Sequence, residues 1–296
     1  MSANASDPEP TTAVRVVAHR GDAWAARENT LAAIRSAIQV GATDVEIDVR
    51  CSCDGIPMVI HDPTTTRLWG RAGAVSSQRA EELAELGREG TRIPRLVEVL
   101  DLLAELDTPP RLVIDSKDPE DAVAAWRVVR THPGTRAGVL GVSWCGSIDA
   151  VSAIAELDDE AVLHYHHPGG ALDEVAVTAM RARVVDVEWT DLTHELIDQI
   201  HHLGLDVLTW TLDDAWRMSW AIDLGVDAIT TNRPGLLHEL ATRGYSPLAL
   251  AWTDADQLAA RLGLGLDLAR CCLLYTSDAA GDPLRVDPGG RRIIKK

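Results

Sequence analysis

VRVVAHRGD (residues 14–22), ENTLAAIRSAIQVGATDVEIDV (28–49) and MVIHD (58–62) are the three pieces of sequence that decide the fold. Val14–Ala18 is an apolar, β-branched run that stops at His19-Arg20-Gly21. A helix-length pattern covers Thr30–Val40. A second β-branched run, Asp44–Val49, carries Glu46 and Asp48. A third, Met58–Ile60, ends at His61-Asp62. Strand-like runs that alternate with a helix make βα units. Polar groups collect where the strands end, which is where parallel sheets and barrels place their sites.

The same rhythm continues along the chain. Strands are expected at Val14–His19, Asp44–Val49, Met58–His61, Arg111–Ser116, Gly138–Ser143, Ala161–His164, Val184–Trp189, Asp206–Thr211 and Ala228–Thr231. Helix-length patterns lie between them, at Asp121–Thr131, Ile148–Leu157, Leu172–Ala182, Thr193–Leu203 and Asp214–Leu224. Eight βα units with one short extra strand over about 225 residues fit an α/β fold, a single-domain TIM (β/α)8 barrel. A doubly wound open sheet shares this periodicity and stays an alternative. Residues 64–95 break the rhythm.

The chain has 296 residues and is 46% hydrophobic, enough to bury a large core. It has nine Trp and no Phe, so bulky aromatic contacts fall mainly to Trp. The formal net charge of −17 disfavours nucleic acid and anionic membranes as partners. The five cysteines form neither a zinc-like nor a disulfide spacing; they read as reduced small residues. The N-terminal MSANASDPEPTTA is polar, with no apolar signal segment, and no run is long enough to span a membrane. A cytoplasmic protein with a small-molecule substrate is expected.

The strand ends carry the chemistry. Glu46 and Asp48 are two apart on one strand and share a face, while Val45, Ile47 and Val49 face the helices. Two inward carboxylates need a cationic partner. Hard oxygen ligands suit Mg2+, Ca2+ or Mn2+; the alternative is a pair balanced by Arg20 and Lys117 alone. His19 and His61 follow neighbouring strands. Two imidazoles can take a proton from a nucleophile and give one to a leaving alkoxide. Arg20 offers a planar fork for phosphate oxygens. Asn29 reads as the N-cap of the first helix.

The ordered set HRG, ENT, EIDV, DG and HD, with IDSK around Lys117, VLTWTLD around Trp210 and the closing GVDAITTNRP, resembles the glycerophosphodiester phosphodiesterase family. The resemblance runs from about Val14 to about Leu240. It implies a metal-dependent TIM-barrel enzyme that hydrolyses glycerophosphodiesters to glycerol 3-phosphate and an alcohol. It also implies that Glu46, Asp48 and the position of Asp115 are metal ligands, that Lys117 touches phosphate, and that Trp210 lines the alcohol pocket with Glu28 near the site. Asp115 stands where the family usually has Glu, shorter by one carbon–carbon bond, about 1.5 Å. Asp213 stands where the family often has Asn, and Asn232 where it often has Asp. Residues 64–95 match a family insertion over the barrel mouth; here it is short, so an open site is expected.

Two other activities are compatible with these residues. A lysophospholipase D-type enzyme would need an apolar rim, for which Leu68-Trp69 and Trp144 are the candidates. A catalytically inactive phosphodiester-binding protein would account for Asp115. His164, His166 and His167 are expected on a loop near the pocket mouth, and Trp189 is a weaker pocket candidate. Residues 1–12 read as a disordered arm, 13–243 as the barrel and 244–271 as an extension. From Cys272 onwards, CLLYTSDAA and VDPGGRRIIKK resemble a translated sequencing adapter, so 272–296 are expected to be non-native.

Overall fold

The structure, a computed structural model, describes residues 14–88 and 90–243. Nine strands are present among these residues: β1 (Arg15–Ala18), β2 (Asp44–Cys51), β3 (Pro57–Val59), β4 (Arg111–Ser116), β5 (Val142–Gly146), β6 (Val162–His166), β7 (Val184–Glu188), β8 (Asp206–Trp210) and β9 (Ala228–Thr231). Their order is β1-β9-β8-β7-β6-β5-β4-β2, and β1 pairs back with β2. Eight parallel strands therefore close into a barrel, which excludes the open sheet. The short extra strand β3 pairs antiparallel with β2 outside the ring.

Alternation along each strand divides the side chains between the two sides of the barrel. On β2, Val45, Ile47 and Val49 are buried against the surrounding layer, while Glu46 and Asp48 line the inner cavity. Val17, Val113, Val184, Leu208 and Ala228 pack together as the inner plug. Helices cover the outside because each has one apolar face: Leu31–Gln39, for example, buries Ala33, Ile34 and Ala37. Side chains in the βα loops start these helices. Asp118, Ser147, Thr193 and Asp214 each accept a backbone N–H of the first helical turn. At the opposite end of the barrel Arg15 Nη2 lies 2.7 Å from Asp206 Oδ2, and Arg111 Nε lies 3.0 Å from the buried Asp44. That end is closed by ion pairs, so the free valences of the fold lie at the C-terminal strand ends.

Gly146 ends β5 beside Ser116. Its φ is +124°, and an added Cβ would sit 1.9 Å from the Ser116 carbonyl oxygen. Backbone cannot yield that distance without breaking the β4–β5 pairing. Gly146→Ala is expected to cost about 3 kcal/mol or more, read as a lowered thermal midpoint. A wild-type midpoint would show that this close approach is not required.

Most strands fall within two residues of their expected positions. The fifth differs: it occupies Val142–Gly146 rather than Gly138–Ser143. A short helix, Pro133–Arg136, and a turn through Gly138 (φ +71°) take up the residues before it. Pairing of Leu112 with Val142 then sets the register. Residues 64–95 hold the short helices Thr66–Trp69 and Ala80–Ala84. Val75, Ala80, Leu83 and Ile93 pack on Met58 and Ile60, forming a small satellite core over β3. The expectations for residues 1–12 and 244–296 lie outside the described residues.

Candidate active site

The C-terminal strand ends open onto one cavity of about 520 Å³. Among its lining residues are His19, Arg20, Glu46, Asp48, His61, Asp115, Lys117 and Trp210. Eight of the nine residues singled out from the sequence therefore meet in one place. Glu28 stands behind them.

β2 and β4 present the acids. Asp48 and Asp115 are register partners across the parallel pair, with Glu46 two residues earlier on β2. An oxygen from each of the three carboxylates lies within 4.8 Å of the other two. The shorter Asp115 thus reaches its neighbours. Its Oδ2 accepts from Lys117 Nζ at 2.6 Å, whereas Oδ1 is buried with no hydrogen-bond partner. Burial, then the charges of Asp48 and Asp115, push the Glu46 carboxyl well above the ordinary carboxylate range, against the pull of Arg20. Burial raises Asp48 too, while Arg20 opposes it.

The HRG loop holds these acids from one side. Gly21 has φ +77°, and an added Cβ would meet the Ala33 backbone at 2.7 Å, so the loop can pass under the first helix only with glycine. Arg20 itself is left-handed at φ 59°. That conformation aims its backbone N–H at Glu46 Oε2, 2.8 Å away. Its side chain reaches Glu28 Oε1 at 2.8 Å, and its Nε lies 3.0 Å from Asp48 Oδ2 without hydrogen-bond alignment.

Asn29 corrects the expected N-cap. Thr30 caps the helix, accepting from Ala33 N. Asn29, buried and left-handed at φ 56°, donates Nδ2 to Asp48 Oδ2 at 2.8 Å and accepts from Asp48 N at 3.2 Å. The Asn side chain tolerates this backbone region, so the residue serves the site rather than the helix end.

Each histidine has a fixed Nδ1. His19 Nδ1 lies 2.8 Å from Asn232 Oδ1, and His61 Nδ1 lies 2.8 Å from Asp62 Oδ1. Burial and then the charge of Arg20 hold the His19 imidazole below its usual value. Arg67, on the short helix of 64–95, donates to both Asp62 and Glu28. Its hydrogen bond is the main reason that the Asp62 carboxyl sits at about 2. Arg67 was not legible as a site residue. Its signal is the spacing five residues beyond Asp62, which only the turn after β3 brings back. No described residue of 64–95 lines the cavity itself.

The far wall holds His164, His166, Asp186 and Trp210. Neither His164 nor His166 is on a loop; both lie on β6. His164 is buried, with Nδ1 2.8 Å from Asp186 Oδ1 and Nε2 3.1 Å from Ser143 Oγ. The His166 ring packs at a tilt of 37° beside Trp210, with ring centroids 5.6 Å apart. His167 is buried and does not line the cavity. Trp189 lies under Arg217, away from the pocket. Trp144 is buried on β5, Trp69 packs against the satellite core beneath Arg27, and none of Leu68, Trp69 and Trp144 lines the cavity. Cys51, Cys53 and Cys145 are free thiols.

The donor set fits a hard divalent cation. Two oxygens on one such ion, each about 2.1–2.5 Å from it, are at most about 4–5 Å apart. The three carboxylates meet that limit as they stand. Glu46 and Asp48 each have one oxygen engaged by Arg20 or Asn29, leaving the other for the ion. The orphaned Asp115 Oδ1 offers a third. Glu46 and Asp48, buried carboxyls whose ionisation burial opposes, are the electrostatic counterpart of a +2 charge.

A closed (β/α)8 barrel with acids, imidazoles and cationic side chains at its C-terminal mouth defines a class of enzyme suited to anionic, phosphate-containing substrates. The model of the glycerophosphoryl diester phosphodiesterase family matches residues 19–236. The glycerophosphodiester phosphodiesterase of Caldanaerobacter subterraneus is 27% identical, covering 77% of this chain and 98% of the relative. Human glycerophosphodiester phosphodiesterase 1 is 41% identical over a shorter stretch, 26% of this chain and 24% of that protein. Among solved structures, a glycerophosphodiester phosphodiesterase from Agrobacterium tumefaciens has a TM-score of 0.65 at 25% identity, covering 77% of this chain and 99% of that one. An Oleispira antarctica phosphodiesterase in complex with its product sn-glycerol-3-phosphate has a TM-score of 0.68 at 24% identity, covering 77% and 96%. The chain belongs to the glycerophosphoryl diester phosphodiesterase family. It is a phosphoric diester hydrolase on a TIM barrel, and no helix among its described residues is long and apolar enough to cross a membrane.

Proposed function

We propose that the protein hydrolyses glycerophosphodiesters to glycerol 3-phosphate and an alcohol with the help of one divalent cation. The observation that carries this reading is the convergence of Glu46, Asp48, Asp115, His19, His61, Arg20 and Lys117 on one cavity. The product complex of the Oleispira relative supports the choice of substrate. Glu46, Asp48 and Asp115 would hold the cation, Mg2+, Ca2+ or Mn2+. Bound there, such an ion polarises a phosphoryl oxygen and offsets its charge.

The chain's own groups do the rest. Arg20 and Lys117 stand on either side of the acids and meet the equatorial phosphate oxygens, where charge grows. One imidazole takes a proton from the attacking oxygen as the new P–O bond forms. The other gives a proton to the alcohol oxygen as the old P–O bond breaks. Asn29, Glu28 and Arg67 keep Asp48 and Arg20 in place. Trp210 and His166 wall the side of the cavity that faces the leaving alcohol.

Following glycerophosphocholine by 31P NMR tests the bond that is cut. Glycerol 3-phosphate is the expected product; phosphocholine, or no turnover with any of the three cations, would overturn the proposal. Asp115 has its own test. Asp115→Asn is expected to weaken cation binding by about tenfold or more, and Asp115→Glu to keep or raise it. Equal affinity of Asp, Asn and Glu in calorimetric titration would remove this position from the ligand set.

A further inference from the structure

Behind His19 lies a chain of side chains in which every hydrogen has only one place to go. His19 Nδ1 is 2.8 Å from Asn232 Oδ1. Asn232 Nδ2 is 2.7 Å from Asp213 Oδ2. Asp213 Oδ1 also accepts from Asn232 N at 2.8 Å and from Thr231 Oγ1 at 3.1 Å. An ionised carboxylate can only accept. Asp213 therefore turns the amide of Asn232 so that its NH2 faces the carboxylate and its carbonyl faces His19. That carbonyl in turn requires a hydrogen on Nδ1.

We infer that Asp213 is a positioning residue for the reaction: acting through Asn232, it fixes the His19 ring as the Nδ1–H tautomer and leaves the Nε2 lone pair free for the cavity. Asp213 does not itself line the cavity. Its position after β8 and that of Asn232 after β9 bring two neighbouring strand ends to bear on a histidine that follows β1. The β1–β9 pairing, with His19 N donating to Thr231 O at 2.9 Å, keeps the three in register. The inference rests on the proposed use of His19 in proton transfer. It adds which nitrogen works and what sets it.

The direction of the chain makes a sharp test possible. In Asp213→Asn, the amide oxygen best keeps the place of Oδ1, where two donors already point. The new NH2 then faces the NH2 of Asn232. Asn232 relieves that clash by flipping, which turns its NH2 towards His19 Nδ1. The ring answers by moving its hydrogen to Nε2, where it blocks proton acceptance. Adding Asn232→Asp restores the original polarity. The new amide at position 213 then donates to the new carboxylate at position 232, and that carboxylate accepts from Nδ1–H.

The experiment compares the holoenzyme with Asp213→Asn and with Asp213→Asn/Asn232→Asp. Asp213→Asn is expected to lower kcat by at least about tenfold with KM within about threefold, and the double variant to regain most of the loss. Long-range 1H–15N NMR of the His19 ring reads the tautomer directly, whatever the activity. Nδ1–H is expected in the wild type and the double variant, and Nε2–H in Asp213→Asn. An Nε2–H ring in the wild type, or an unchanged tautomer and kcat in a folded Asp213→Asn, would overturn the inference. A double variant that is folded but no better than the single one would reduce Asp213 to a structural support. If His19→Ala leaves turnover intact, the proton-transfer reading fails instead, and the ring spectra still judge the Asp213 chain.

Discussion

His19→Ala and His61→Ala are each expected to lower kcat by about 10² or more, with KM little changed, because each removes a proton-transfer group and no phosphate ligand. The surroundings of both residues survive the change. The His19 backbone N–H still donates to Thr231 O, and the His61 carbonyl still accepts from Arg50 Nε at 2.6 Å. Asp62 keeps its two bonds from Arg67 when the imidazole is gone. A loss of turnover in a protein with a normal melting midpoint would therefore report chemistry. Wild-type turnover in either variant would make that histidine structural.

Glu46→Gln is expected to weaken cation binding by at least about 10² and to lower turnover at a fixed cation concentration in step. The size follows from the hydrogen bond at its other oxygen. Oε2 accepts from the Arg20 N–H at 2.8 Å, so the glutamine oxygen must take that place. Its NH2 then points where Oε1 was, and presents a donor to the ion. Residual binding as tight as the wild type, by calorimetry, would show that Glu46 is not a ligand.

Much of this site could be read from the sequence because strand alternation is rigid. Glu46 and Asp48, two apart in a β-branched run, had to share a face, and the structure has both buried on the inner wall. His19 and His61 were legible for a similar reason, since each closes an apolar run, whereas Lys117 was legible only through the family resemblance of IDSK. Asn29 was not. A polar residue before a helix reads as a cap, and only the left-handed turn at Arg20 and Asn29 shows that Thr30 does that work. The fifth strand slipped because VLGVSW is apolar nearly throughout, so its start depends on pairing with β4 rather than on pattern. In the sequence, Asn232 and Asp213 stood out only as departures from the family's usual residues. Their bonds lead from behind the cavity wall to His19, a contact across more than 200 residues of sequence that no local spacing encodes.

The most direct test of the account is cation dependence measured on the authentic reaction. The protein is stripped with EDTA and freed of chelator. Release of glycerol 3-phosphate from glycerophosphocholine is then followed as Mg2+, Ca2+ or Mn2+ is added back. The account predicts no turnover in the stripped protein, recovery that saturates with one ion per chain, and no recovery in Glu46→Gln at the same concentration. Full turnover after exhaustive chelation would contradict it.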